Sequence, residues 1–175
     1  MTTWFARQDL SLANDVERHV VQMVSDLLDE LRPARLDPAE QVVEVDDGET
    51  WVKLRHDQDP TLEIRFVVNE NWVNFYGVMG HDEAYSTHDE EPDAWQYETI
   101  DILADLLLAD YTFETYELRG RRWREVLTIG EPYYNHTFIT GPLPASLLPL
   151  KRWANLVETR TSSFECQGVR RSSGA

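Results

Sequence analysis

The sequence predicts an α+β fold in which helices pack on one face of an antiparallel meander sheet. Three observations predict it. A long amphipathic stripe lies near the N-terminus, four short alternating segments joined by turn signals follow, and a second apolar stripe comes after them. The chain has 175 residues, 42% of them hydrophobic and 11% aromatic. That composition suits one core burying roughly two-thirds of the unfolded surface. We therefore expect a single acidic domain over residues 1–158 and a flexible polar tail over 159–175.

The first helix rests on Val16, Val20, Met23, Val24, Leu27, Leu28 and Leu31, which recur at three- and four-residue steps and so form one stripe. Asn14 followed by Glu17 has the form of a capping box, and Pro33 ends the helix. Asp15, Glu17, Arg18, Gln22, Asp26 and Asp29 are expected on the opposite, polar side.

Four strands are expected next, over 41–45, 50–55, 61–68 and 72–79. Asp46-Asp47-Gly48-Glu49 joins the first two, because Asp-Gly tolerates the positive φ angles of a tight hairpin. In the third, Leu62, Ile64, Phe66 and Val68 point one way and Glu63 and Arg65 the other. Asn69-Glu70-Asn71 turns the chain into the fourth. That strand is apolar on both faces: Trp72, Tyr76 and Val78 share one, Val73, Phe75 and Met79 the other. One face meets the helices, and the other calls for more protein, either a partner or a second copy in a homodimer.

Residues 80–91 lose periodicity and gather acids. Pro92 then marks the start of a second helix with Trp95, Thr99, Ile102, Leu103, Leu106 and Leu107 on its buried side. Strands over 111–118 and 122–129 form a second hairpin around Arg119-Gly120-Arg121, with a weaker strand over 136–140. Leu147, Leu150, Trp153, Ala154 and Val157 suggest a closing helix that begins near Leu148, since Pro149 is tolerated only at a helix start.

This order of elements resembles the type III secretion chaperone-like fold, which runs helix, three strands, helix, two strands, helix. The likeness spans roughly residues 12–157 and rests on element order, with an additional strand in the first set. It implies a small, acidic, commonly dimeric, non-enzymatic protein.

Charge is the outlying property. Sixteen Lys and Arg face 32 Asp and Glu, a net −16. The stretch 159–175 holds Arg160, Arg170, Arg171 and Glu165, a net +2, so residues 1–158 carry −18. Such a field repels phosphate backbones and anionic membranes and favours basic protein partners, so nucleic acid and membrane are excluded as expected partners. The N-terminal residues have neither the basic nor the apolar region of a secretory signal, which makes the cytoplasm the expected compartment. Cys166 is the single cysteine, leaving no disulfide framework.

Two regions offer chemistry. Acids crowd the segment 82–93 (Asp82, Glu83, Asp89, Glu90, Glu91 and Asp93), with Tyr85, Trp72 and Tyr76 as nearby aromatics. Acids steer a basic surface and aromatics supply the burial that retains it, so Asp82, Glu83, Tyr85, Asp89, Glu90, Glu91, Trp72 and Tyr76 are the expected partner-binding residues. The alternative is a metal-dependent enzyme or small-ligand module built on His56, Asp57 and Asp59 with His81 and His88, although their spacing matches no known ligand motif. Serine elbows and glycine-rich phosphate loops do not occur. The expected function is therefore a non-enzymatic binding protein without a cofactor, chaperone-like or an immunity- or antitoxin-type neutraliser of a basic protein. Arg119, Arg121, Arg122 and Arg124 around Trp123 are expected to pair with Glu114, Glu117 or Glu125 across the sheet rather than to grip nucleic acid.

Overall fold

The computed structural model describes residues 4–5, 9–76, 83–86, 94–118, 121–132, 136–140 and 155–168. It is an α+β protein with two helices and two antiparallel sheets. The chain divides into two compact units, Met1–Leu107 with Phe164–Ala175, and Leu108–Ser163.

In the first unit, α1 (Asp15–Leu31) begins at the expected capping box: Asn14 Oδ1 accepts the Glu17 N–H and Glu17 Oε2 accepts the Asn14 N–H. Val20, Val21, Val24, Leu27, Leu28 and Leu31 are buried, while Val16 and Met23 are only half-buried. Glu17, expected on the polar side, is buried as well. Its Oε2 also accepts the Thr50 hydroxyl at 2.9 Å, so the cap residue is drawn against the sheet instead of solvent.

Strands β1 (Val42–Asp46), β2 (Glu49–Arg55), β3 (Glu63–Val68), β4 (Trp72–Phe75) and β5 (Glu83–Ser86) pair antiparallel in sequence order. Asp47 at φ 50° and Gly48 at φ 82° make the β1–β2 turn that Asp-Gly predicts. Thr50, Val52 and Leu54 stand opposite Val68, Phe66 and Ile64, and all six are fully buried. Phe75 faces Phe66 with ring centroids 5.0 Å apart. This is the sheet face that α1 covers through Thr50. The meander has five strands, not four: β5 lies inside the segment expected to be irregular. It pairs residue for residue with β4 through the backbone, which no apolar periodicity announces. Helix α2 (Ala94–Leu108) buries Trp95, Gln96, Thr99, Leu103, Ala104, Leu106 and Leu107, whereas Ile102 is half-buried.

The second unit is a separate sheet of order β8-β7-β6-β9, formed by β6 (Asp110–Leu118), β7 (Arg121–Ile129), β8 (His136–Thr140) and β9 (Asn155–Ser163). Tyr111, Phe113, Leu127 and Ile129 fall on one face by register and are buried. Two expectations are corrected here. Val157, assigned above to a closing helix, lies in β9; the rest of that proposed stripe falls outside the described residues. Residues 159–163, assigned to a tail, continue β9 against β6. Asp110 to Glu117 supply a ready ladder, and the β-branched Thr159 and Thr161 suit it without large apolar side chains.

The chain then returns to the first unit. Phe164 is fully buried, and Gln167 and Gly168 donate backbone hydrogen bonds to Arg32 O and Leu31 O. Ala34 and Arg35 donate to Glu165 O and Phe164 O in return, and Arg35 pairs with Glu165 at 2.7 Å. Residues 164–168 are thus fastened to the end of α1, and 169–175 lie outside the described residues.

Candidate functional site

The loop after β2 was one candidate for chemistry. His56 is buried, and its Nδ1 accepts backbone N–H groups of Gln58 and Asp59 at 3.1 and 2.9 Å. Its ring lies 5.5 Å from that of Phe164. Asp59 Oδ1 accepts both the N–H and the hydroxyl of Thr61. His56 Nδ1 and Asp59 Oδ1 are thus engaged in holding the turn. Asp57 Oδ1 stands 3.7 Å from His56 Nδ1. His81 and His88 lie outside the described residues. Among the described residues no group of three His, Cys, Asp or Glu side chains is placed to hold a metal ion.

The expected partner-binding residues separate into three groups. Asp82, Asp89, Glu90 and Glu91 lie outside the described residues, as does Asp93. Glu83 and Tyr85 belong to β5, where they pair with Phe75 and Val73 of β4. Trp72 and Tyr76 stand on the sheet face away from α1, because Val73 and Phe75, which alternate with them, fill the core.

That outer face is the most structured candidate. Register sets Glu44, Trp51, Val67 and Asn74 in one row across β1 to β4, and Lys53 beside Arg65 in the next. Trp51 in β2 and Tyr76, one residue past β4, lie on either side of β3, yet their rings stack at 5.1 Å with an interplanar angle of 27°. They therefore meet over β3. Beneath, Val67 has no exposed surface although it faces outward. The Arg65 guanidinium lies 5.9 Å from the Trp51 ring and 5.4 Å from the Tyr76 ring, within reach of both π faces. Lys53 pairs with Glu44 and Arg55 with Glu63, each at 2.6 Å. Asn74 Oδ1 is buried and meets no hydrogen-bond donor among the described residues. Trp51, Trp72 and Tyr76 remain partly exposed. Sequence reasoning found Trp72 and Tyr76 but missed Trp51 and Arg65. Their signal is the alternation of β2 and β3, which sets both on the face opposite the core.

Of the arginines expected to pair with acids of the second sheet, Arg122 does so, whereas Arg124 Nε is buried without a hydrogen-bond partner among the described residues and Arg119 lies outside them. Arg122 pairs with Glu125 at 3.0 Å, and register brings Glu117 opposite Arg122. Tyr116 donates to Glu114, and burial, followed by that carboxylate, raises its pKa above the usual tyrosine value. A cleft of about 540 Å³ by the end of α1 has Trp4, Leu28, Pro33 and Leu36 among its walls. Asp29 in its rim already accepts the Trp4 indole N–H at 2.9 Å. Among the described residues, no helix is long and apolar enough to cross a membrane.

Set against known proteins, the chain matches no family model, no curated protein and no solved structure.

Proposed function

We propose that this protein is a non-enzymatic binding module for a basic protein partner, in the manner of a chaperone or of an immunity or antitoxin protein. The observation that carries this reading is the stacked Trp51–Tyr76 pair with Arg65 on the sheet face away from α1. Trp, Tyr and Arg are the residues that dominate interface energies, and here all three meet on one sheet face. The net charge of −16 adds long-range attraction for a cationic surface. The rival metal-dependent reading is left with Nε2 of His56, since Nδ1 accepts two backbone amides.

The test is copurification from the source cells at low salt. The expected result is a stoichiometric protein with a basic surface that is released as salt rises, since screening weakens attraction between exposed charges. Recovery of the bare chain alone at low salt contradicts the proposal. A second copy of this chain is the competing occupant; a solution mass that doubles and does not depend on other proteins would identify it.

A further inference from the structure

We infer that Arg65 is a receptor for a carboxylate supplied by the bound partner, an inference that rests on the outer sheet face being the docking surface. Three cations stand on this face of β2 and β3: Lys53, Arg55 and Arg65. Glu44 takes the first and Glu63 the second. Of these three, Arg65 is the one without a carboxylate partner among the described residues. On this face each of the two flanking cations has found an acid, in a chain where acids outnumber bases 32 to 16. Two aromatic rings hold Arg65 instead. A cation–π contact of this kind involves none of the N–H groups as donors to an acid, and these are the groups that grip a carboxylate in a bidentate fork. Contact with both rings also narrows the positions open to the side chain before binding, so less is lost when the fork closes.

The acidic field of the whole chain does not cancel this preference. At physiological salt it is screened beyond about 8 Å, whereas a fork contact acts at hydrogen-bond distance. Overall charge steers the approach of a basic partner, and Arg65 selects where on that partner an acid must lie.

The sign of one comparison decides the matter. An array of heptapeptides, acetylated and amidated, carries Glu or Gln at the central position among Lys, Leu and aromatic residues, and is probed with the labelled full-length chain. A third set has central Gln and a free C-terminal carboxylate. If only the field of −16 acts, Gln peptides bind better than Glu peptides. The Arg65 contact reverses that order, with Glu peptides favoured about tenfold, the usual scale of a charge-assisted pair. The preference should vanish in Arg65→Ala and weaken in Arg65→Lys, which keeps the charge and loses the fork. Tighter binding of the third set would assign the site to a chain terminus, and tighter binding of the first to a side chain; both support a carboxylate receptor. Binding without a Glu preference, or a preference that persists in Arg65→Ala, overturns the receptor and leaves the docking face intact. No binding by any set removes the docking face and the receptor with it.

Discussion

Gly168 shows how a single position sets local structure. A Cβ built there would lie 1.8 Å from the Glu30 carbonyl oxygen, at the point where Gly168 N–H donates to Leu31 O at 2.7 Å. Gly168→Ala must push the returning segment off the end of α1. We expect a loss of about 3 kcal/mol in chemical denaturation, the upper range for forced overpacking. Glu17 behaves differently, because its cost lies in hydrogen bonds. Glu17→Ala removes the acceptor of the Asn14 N–H and strands the buried Thr50 hydroxyl. About 2 kcal/mol should be lost, and Glu17→Gln, which keeps a carbonyl acceptor, should lose less. Cys166 adds a pH signature. Burial pushes its thiol up to about 11 from an ordinary 9.0. The folded thiol thus holds its proton where the unfolded one has released it. Stability contributed at this site is intact below pH 9.0 and declines as pH climbs toward about 11. At pH 8, alkylation should be slow in the folded protein and fast in denaturant. Fast alkylation of the folded chain would contradict this burial. The capping pair of Glu17 was legible from spacing alone. Its burial was not, because a carboxylate goes inside only when a tertiary partner such as Thr50 awaits it.

Among elements, those whose side-chain pattern is local were legible and those held by distant backbone pairing were not. The stripe of α1, the Asp47-Gly48 turn and the alternation of β3 all follow from neighbours within a few residues. Strands β5 and β9 depend on partners that supply a ladder, and their own residues carry little apolar alternation. For the same reason the doubly apolar strand was half understood. Val73 and Phe75 fill the core as its pattern requires, while Tyr76 is closed from above by Trp51, two strands away. The stack over β3 leads to a prediction. Trp51→Ala exposes Val67 and removes the partner of Tyr76, and should cost about 2 kcal/mol of stability. Near-ultraviolet circular dichroism should lose the signal of the stacked pair while far-ultraviolet spectra keep the sheet. Unchanged stability would mean that the arch contributes nothing to the fold and serves only a partner.

For the whole molecule, charge and topology divide the work. Under the proposed reading, a net −16 would make association with cationic surfaces fast and salt-sensitive without selecting a particular one. Selection needs a shaped contact, and the reading proposed above assigns it to Trp51, Arg65, Trp72 and Tyr76, which share the outer face of the five-stranded sheet. The composition made the acidity plain from the outset. It did not reveal that the chain leaves its first unit after Leu107 and rejoins it at Phe164, because the one composition shift, into the polar stretch from 159, falls inside β9 and not at a boundary. The most direct measurement is oxidative footprinting of the copurified complex against the bare chain. Tyr97, 62% exposed on α2, serves as the internal reference. Our account predicts that labelling of Trp51, Trp72 and Tyr76 falls several-fold in the complex while Tyr97 labels equally in both. Equal labelling of Trp51 and Tyr76 with and without the partner would contradict it.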